Sequence, residues 1–218
     1  KSPKFIFTSN NFYKDKIFKF WTAFKIEKGT KYIVGQHGNN YYSKKNLFPR
    51  IEEITSDKFI TWGWSNGLSK YVPAFIFKTA GKNIDFSNPK GGILLIETTQ
   101  SIRLTTWDST AEHNHYFDDQ KIFINKLNLN PRNKLKIRLS ALTNDRKYNE
   151  FSRWYDFDKN LKINDGSTPL RHLIAESRLI VHSYDSTGIL ETLSQNIPTL
   201  AFWQNNFDHL RDEVKSDY

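Results

Sequence analysis

The 218-residue sequence contains no cysteine and no methionine. The absence of cysteine excludes disulfide bonds and thiolate metal sites, and it favours the reducing cytoplasm as the compartment. Because position 1 is a lysine rather than a methionine, we expect an internal piece of a longer protein. No apolar run approaches the roughly 20 residues that a membrane-spanning helix needs. The sequence therefore predicts a cytoplasmic location.

Basic residues outnumber acidic ones, and aromatic residues are abundant. The 32 lysines and arginines against 23 acidic residues give a formal charge of +9. Either a compositional drift toward Lys and Asn or an attraction to phosphate-bearing ligands and an anionic membrane surface explains this excess. Nucleic acid is not an expected partner, because no basic run is interleaved with stacking aromatics. The aromatic content of 15% excludes a disordered chain.

Strand and helix patterns alternate along the chain. Residues 4–8 and 31–35 read as strands, and the apolar spacing of residues 15–26 predicts a helix between them. A strand–helix–strand unit of this kind implies a parallel sheet. Further strands are predicted at 58–62, 93–99, 134–139, 179–181 and 199–202, and further helices at 118–127 and 168–177.

Turn-forming residues cluster between Pro73 and Gly92 and predict a domain boundary. We place the first domain at residues 1–80, a linker at 81–92 and the second domain at 93–218. Because βα units repeat on both sides of this linker, the sequence predicts an α/β protein with two Rossmann-like domains. We expect the first of these domains to be incomplete.

The segment HSYDSTGILETL, residues 182–193, places a polar turn after an apolar strand. Ser186 or Thr187 stands where the N-cap of a following helix belongs, and Gly188 leaves room beside it. The first turn of such a helix offers unpaired N–H groups and the positive end of its dipole, which suit a phosphate. The turn also follows a parallel strand, at the end where α/β sheets bind ligands. An ordinary helix cap is the alternative, and the sequence leaves it open.

Several segments resemble a known class of enzymes. Residues 178–203 resemble the C-terminal nucleotide-binding half of GT-B glycosyltransferases, in which a strand, a Ser/Thr-Gly turn, a helix glutamate and a proline-led strand recur. The chain is also similar to a family of transferases encoded in bacterial O-antigen and surface-carbohydrate gene clusters. It is more distantly similar to glycerophosphotransferases of teichoic-acid synthesis and to transferases that use CMP-activated acidic sugars. The other segments that carry the resemblance are 35–38 (GQHG), 61–64 (TWGW), 153–154 (RW) and 165–166 (DG).

The resemblance implies a GT-B fold, with the donor nucleotide in the second domain and the acceptor in the cleft. It implies transfer of an activated sugar, or a sugar-like phosphate unit, to a surface-polysaccharide or O-antigen acceptor, either a glycan or a lipid-linked glycan. The nucleotide-sugar donor is then a co-substrate and no cofactor is expected. The expected location is the cytoplasm, with peripheral association at the inner membrane face. The alternatives are a non-catalytic nucleotide- or glycan-binding protein and a sugar-nucleotide epimerase of the same fold.

Sugar transfer requires a base for the acceptor hydroxyl and cationic or N–H groups for the leaving phosphate. His37, set between glycines at the end of a strand, is the candidate catalytic base, and a hydrogen bond within its turn is the alternative role. Arg103 and Arg138 are candidate phosphate ligands, with a solvated surface position as the alternative for each. Glu191 resembles the acidic residue that holds a nucleotide ribose, and an ordinary helix-surface glutamate is the alternative. His182 is a candidate phosphate or base contact, with a satisfied histidine at a strand end as the alternative. The candidate donor-binding residues are Arg103, Arg138, His182, Ser183, Ser186, Thr187, Gly188 and Glu191.

No metal site is predicted. His113 and His115 share a face only on a strand, and no third ligand is evident. The Asp-x-Asp pair of the metal-dependent GT-A transferases is also missing. We therefore expect metal-independent chemistry.

Overall fold

The computed structural model describes residues 2–47, 49–81, 88–98, 113–141, 149–203 and 206–218, and the chain forms two compact units. The first unit comprises Lys1–Gly81 together with Phe207–Tyr218, and the second comprises Lys82–Asn206. The chain thus passes into the second unit at the start of the linker expected at residues 81–92. Among the described residues, no helix combines the length and the apolar character needed to cross a bilayer.

The first unit contains a four-stranded parallel sheet whose strands lie side by side in chain order. Aromatic and β-branched residues dominate the sequences FIFT and KYIVG, which favours extended backbone. The chain must cross back between successive parallel strands, and short helices occupy two of these crossings. The elements are β1 (Phe5–Thr8), α1 (Asn11–Lys14), α2 (Lys16–Ile26), β2 (Lys31–Gly35), α3 (Ile51–Thr55), β3 (Lys58–Thr61) and β4 (Tyr71–Pro73).

Helix α2 directs its most apolar face to solvent. Its start is fixed by Asp15, whose carboxylate accepts the Phe18 N–H at 2.9 Å, and Phe18 packs against the core of the unit. Thr22 is the buried residue of the helix. By contrast, the residues whose spacing predicted the helix are exposed: Ile17 at 83%, Phe20 at 79%, Phe24 at 51% and Trp21 at 42%. Helix α2 therefore carries an uncovered apolar stripe, made of these four residues.

The last residues of the chain pack on the first unit. Leu210 is fully buried and forms an antiparallel bridge with Lys44, and the Arg211 N–H donates to the Ser43 carbonyl at 2.8 Å. A 3₁₀ helix (Asp212–Asp217) follows. The sequence assigned residues 93–218 to one domain, whereas the segment from Phe207 onward returns to the first unit because of these backbone contacts.

The second unit contains a five-stranded parallel sheet in which the strand order reverses. Its first strand, β5 (Gly92–Ile96), is central; β6 (Leu135–Arg138) and β7 (Lys162–Asn164) extend to one side, and β8 (Ser177–His182) and β9 (Thr199–Ala201) to the other. Counted from β5, this is the 3-2-1-4-5 strand order of a Rossmann-like doubly wound sheet, and the reversal between β5 and β8 is its switch point. The helices are α4 (His113–Lys126), α5 (Leu129–Asn133), α6 (Glu150–Phe157), α7 (Leu170–Ala175) and α8 (Thr187–Leu193).

Apolar side chains cover both faces of the second sheet. Leu95 and Val181 belong to a buried cluster with Trp154 of α6. Leu94 and Ile180 point the other way, into a cluster with residues of α7. Burial on both faces explains why β5 and β8 read as continuous apolar runs rather than alternating ones. The α/β class predicted from the sequence is confirmed, with two parallel sheets.

Candidate functional site

The carboxyl ends of β5 and β8 meet at the switch point of the second sheet. Ile96 and His182 are register partners there, and the chain continues into Glu97 and Ser183. Crossover connections leave the sheet in opposite directions at such a point and open a crevice, which is where α/β sheets bind ligands. The polar turn singled out in the sequence therefore lies at the ligand-binding edge of this sheet.

Ser183 ties the two strand ends together. Its hydroxyl donates to the Ile96 carbonyl at 2.9 Å and lies 2.7 Å from the Tyr116 hydroxyl. Tyr116 in turn accepts the Thr98 N–H at 2.9 Å. Ser183 is only 1% exposed. Because the Ile96 carbonyl and the Tyr116 hydroxyl already occupy the Ser183 hydroxyl, the structure favours a role in holding the two strand ends together. It does not favour the ligand contact expected from the sequence.

His182 is a buried, neutral imidazole. Its Nδ1 lies 3.1 Å from the Ser186 hydroxyl, and its Nε2 is buried without a hydrogen-bond partner among the described residues. Burial lowers its pKa to about 4. At neutral pH the side chain therefore carries no charge for a phosphate, and its observed contact is with the turn that follows β8.

Gly188, the second residue of α8, packs directly against His182. A Cβ at position 188 would lie 2.6 Å from Cε1 of the imidazole and 3.3 Å from the Ser186 hydroxyl. Such distances leave no space for a side chain. The sequence suggested that the missing side chain makes room for a ligand; in the structure the protein itself fills that room.

Ser186 stands at the N-cap of α8 without making a side-chain cap. Its hydroxyl instead hydrogen-bonds His182 and the phenol of Tyr184. Burial raises the pKa of Tyr184, and both the hydrogen bond from Ser186 and the nearby Arg138 lower it. Thr187 and Glu191 follow four residues apart on α8, so they share one face of it, and both are partly exposed.

Arg138 ends β6 at the same edge of the sheet, and its charge acts on Tyr184 in this turn. Its Nη1 lies 3.4 Å from the Leu139 carbonyl and its Nη2 3.5 Å from the Gly166 carbonyl, while its buried Nε has no hydrogen-bond partner among the residues that the structure describes. Within the described part of the chain, no carboxylate forms an ion pair with it. Burial lowers its pKa, and Tyr184 opposes that effect. A partly buried guanidinium with weakly used donors is suited to a planar, bidentate anion.

Arg103, the other arginine expected to contact phosphate, lies outside the described residues.

Glu97, a carboxylate at the end of β5, is 4% exposed and accepts the Trp154 indole N–H at 3.0 Å. Burial raises its pKa to about 8, with a smaller opposing effect from Trp154. Glu97 is therefore a neutral, enclosed acid near pH 7 rather than an accessible base.

A groove of about 710 Å³ opens between α4 and the residues that follow β9. Phe123 and Phe202 stack within it, with ring centroids 5.2 Å apart. Because α4 follows β5 in the chain and Phe202 follows β9, the groove belongs to the carboxyl edge of the sheet. It combines aromatic faces with carboxylates, and its lining is His115, Asp118, Asp119, Ile122, Phe123, Phe202 and Trp203.

In the first unit, Gln36 braces the turn that carries His37. Its side-chain oxygen accepts the Trp62 N–H at 2.9 Å and the Trp64 indole N–H at 2.8 Å, and its amide donates to the Gly38 carbonyl at 2.8 Å. Gln36 is buried. The two segments GQHG and TWGW, noted separately in the sequence, are thus joined by one side chain at the ends of β2 and β3.

His37 projects from this turn into a group of aromatic rings while part of it stays exposed. Its Nδ1 lies 2.8 Å from the Tyr41 hydroxyl, and the rings of Phe12 and Tyr13 contact it edge-on. This partial burial lowers its pKa; Glu52 raises it and Arg50 lowers it. The result is an imidazole that is neutral near pH 7 and can accept a proton.

Sequence reasoning did not find Tyr41 or Glu52. Tyr41 contacts His37 directly, and Glu52 is linked to His37 through the Tyr41 hydroxyl. No periodicity or motif marks them, since Tyr41 lies in a loop whose neighbours Asn40 and Tyr42 have positive φ angles of 69° and 65°. No group of histidines and carboxylates suited to a metal ion occurs among the described residues. His113 and His115 fall in α4 rather than on a strand.

Comparison with known proteins gives one assignment. No curated protein and no solved structure matches the chain. The family model described as LIC12162 family transferase matches residues 1–218, the whole length of the chain. The chain therefore belongs to the LIC12162 family of transferases.

Proposed function

We propose that this transferase moves a sugar, or a sugar-like phosphate unit, from a nucleotide-activated donor to a bacterial surface-glycan acceptor. The observation that carries the proposal is Arg138, a guanidinium without a carboxylate partner among the described residues, at the ligand-binding edge of a sheet with Rossmann strand order. Nucleotide-activated donors present a phosphate or a diphosphate, and either group supplies the anion that this cation lacks.

The donor is proposed to lie along the carboxyl edge of the second sheet. Arg138 contacts its phosphates, and the turn holding Ser186 and Thr187 approaches them from β8. Glu191, one helical turn beyond Thr187, accepts the ribose hydroxyls. His182 and Gly188 support this turn from behind, since the imidazole fills the space next to the glycine.

The sugar part of the donor is proposed to occupy the groove beside α4. Its stacked rings, Phe123 and Phe202, offer apolar faces, and Asp118 and Asp119 offer acceptors for hydroxyl groups. Ligand sites commonly combine an apolar lining with a few well-placed polar groups. A groove of about 710 Å³ has room for a hexose-sized group.

His37 is the proposed base in the first unit. Its Nε2 takes the proton of the acceptor hydroxyl while that oxygen forms the new bond to the sugar carbon. The bond from that carbon to the donor phosphate breaks, and its electron pair leaves with the phosphate oxygen, where cationic and N–H groups stabilise the charge. A GT-B arrangement of the two units is part of this proposal, and no metal ion or cofactor is required by it.

The acceptor is proposed to be a glycan or lipid-linked glycan at an anionic membrane surface. The apolar stripe of α2, flanked by the exposed lysines Lys16, Lys19 and Lys28, has the composition of a helix that lies in a membrane interface. The charge of +9 adds a long-range attraction to anionic lipid. The proposed occupant of the stripe is therefore an anionic bilayer.

A thermal-shift screen tests the donor assignment. The full chain is heated with CMP, CDP, UDP, GDP and their sugar conjugates, because a ligand that binds only the folded state raises the melting temperature. We expect a rise with one nucleotide class and with its sugars. No shift with any of them would contradict the proposal. Conversion of the bound sugar nucleotide to an isomer without transfer would instead identify an epimerase, and binding without turnover a non-catalytic protein.

A further inference from the structure

His37 belongs to a continuous set of hydrogen bonds that ends on a buried carboxylate. Glu52, which is 2% exposed, accepts a hydrogen bond from the Tyr41 hydroxyl at 2.7 Å and another from the Tyr13 hydroxyl at 2.9 Å. Arg50 donates to the Tyr13 hydroxyl at 3.3 Å. The Tyr41 hydroxyl also lies 2.8 Å from Nδ1 of His37.

The position of Glu52 follows from the start of helix α3. Glu53 reaches back to accept the Arg50 N–H at 3.1 Å, which fixes the first turn of the helix. Glu52 lies in this first turn and is directed to the two tyrosines. The guanidinium of Arg50 also lies 4.2 Å above the ring of Tyr41, which holds that ring in place.

The proton count along this set decides the tautomer of His37. A carboxylate only accepts, so Tyr41 must give its single proton to Glu52. The oxygen of Tyr41 then has only lone pairs left for His37, so Nδ1 of the imidazole must carry the proton. Nε2 consequently bears the lone pair, and it makes no hydrogen bond to any described residue.

We infer that Tyr41 and Glu52 are positioning residues that hold His37 as the Nδ1–H tautomer, with Nε2 directed to the acceptor as the proton-accepting atom. This inference rests on the proposed function for its catalytic meaning, although the tautomer itself does not. The logic is that of enzymes in which a carboxylate fixes the tautomer of a histidine base, here with a tyrosine between the two groups. When His37 takes up a proton, the same contacts stabilise the imidazolium.

Nuclear magnetic resonance reads the tautomer directly. The full chain is labelled with ¹⁵N-histidine, and long-range ¹H–¹⁵N spectra at pH 8 separate protonated from unprotonated ring nitrogens. The signals of His37, one of six histidines, are assigned by their loss in His37→Gln. We expect a protonated Nδ1 and an unprotonated Nε2 in the native chain. A protonated Nε2 at His37 would overturn the inference.

Two conservative variants separate positioning from general stability. Tyr41→Phe keeps the ring under Arg50 and removes the relay hydroxyl, so His37 should shift to the Nε2–H tautomer that free neutral histidine favours. The matched control, Tyr13→Phe, removes the other hydroxyl from Glu52 and should keep the Nδ1–H tautomer. An unchanged tautomer in Tyr41→Phe, or an equal change in both variants, would refute the assignment.

Glu52→Gln gives a second route to the same answer, because an amide can donate to Tyr41 and so release its proton toward His37. We expect loss of the Nδ1–H preference in this variant, and retention of it would count against the relay.

Nucleotide release from the donor should fall about 10–100-fold in Tyr41→Phe, the usual cost of losing a supporting hydrogen bond. Normal release in His37→Ala would refute the catalytic proposal alone, so the two failures can be told apart.

Discussion

The imidazole of His182 occupies the space beside Gly188, where a Cβ would lie 2.6 Å from Cε1 of the ring. This contact fixes how close α8 approaches the end of β8, and therefore where the turn between them lies. Gly188→Ala should destabilise the protein by about 1–3 kcal/mol, the usual cost of overpacking a filled site. Denaturant unfolding measures the change.

A double-mutant cycle then tests whether His182 is the cause. Combining Gly188→Ala with His182→Ala removes the ring that the new methyl group meets, so the two effects should be less than additive by about 0.5 kcal/mol or more. Strict additivity would show that the glycine serves another purpose. If Gly188→Ala left stability intact and abolished nucleotide binding, the result would show that a ligand, rather than His182, occupies the space beside Gly188.

Glu97 should make the protein less stable as the pH rises. Burial raises its pKa from 4.5 to about 8, so the folded state holds a proton that the unfolded state releases between these values. The stability contributed by the neutral acid is complete below about pH 4.5 and is lost as the pH rises toward 8, by on the order of 4 kcal/mol. Glu97→Gln should remove this part of the slope. Chemical unfolding at pH 5 and pH 8 tests it, and an unchanged slope in the variant would contradict the assignment.

His37→Ala should preserve donor affinity and lower the rate of transfer by about 10²–10⁴-fold, the usual contribution of a general base. In the native chain the rate should fall as the pH drops through the pKa of His37, because a protonated imidazole cannot accept a proton. Burial lowers that pKa from its ordinary 6.5, so the midpoint should lie below that value. Nucleotide release from the donor, followed from pH 5 to 8, measures it. A midpoint that persists in His37→Ala would belong to another group.

The apolar stripe of α2 should bind anionic membranes. Ile17→Glu and Phe20→Glu change residues that are 83% and 79% exposed, so the fold should tolerate both. Each should lower binding to vesicles of anionic phospholipid by about tenfold or more, since a buried apolar side chain contributes about 1.5–3 kcal/mol. The matched control is Leu129→Glu, which alters an equally exposed residue (78%) outside α2. Equal binding by all three variants in a sedimentation assay would show that the stripe faces another partner.

Most strands and the helices α2, α4, α7 and α8 could be predicted because local patterns determine them, whereas the short strands β4 and β7 and the helices α1, α3, α5 and α6 were not predicted. Residues 31–35 and 179–181 are apolar runs with β-branched residues, and the spacing in 15–26 is helical. The same spacing did not reveal which face of α2 is exposed, because periodicity identifies an apolar face without identifying what covers it. The position of the last segment depends on backbone pairing between Ser43 and Arg211, which are far apart in sequence.

The positions of the candidate residues at strand ends could be predicted from the sequence, whereas their contacts could not. The sequence located His37, Arg138 and the turn after β8 at strand ends, because motifs and strand patterns mark such ends. It did not distinguish residues that are exposed at this edge from buried residues that support the turn, such as Ser183 and His182. That distinction depends on burial and on hydrogen-bond partners, which arise only when distant segments pack together.

The most direct test of the proposed donor site is the affinity of the second unit's edge for the donor nucleotide. Calorimetry compares the native chain with Arg138→Gln and with Arg178→Gln, using the nucleotide that the thermal-shift screen identifies. Arg178 is an exposed arginine near the start of β8, at the opposite edge of the same sheet. Arg138→Gln should weaken binding about 10–100-fold, the loss of roughly 1.5–3 kcal/mol from a charged hydrogen-bond donor, while Arg178→Gln should bind like the native chain. Native affinity in Arg138→Gln, or an equal loss in both variants, would contradict a donor site at the carboxyl ends of β5, β6 and β8.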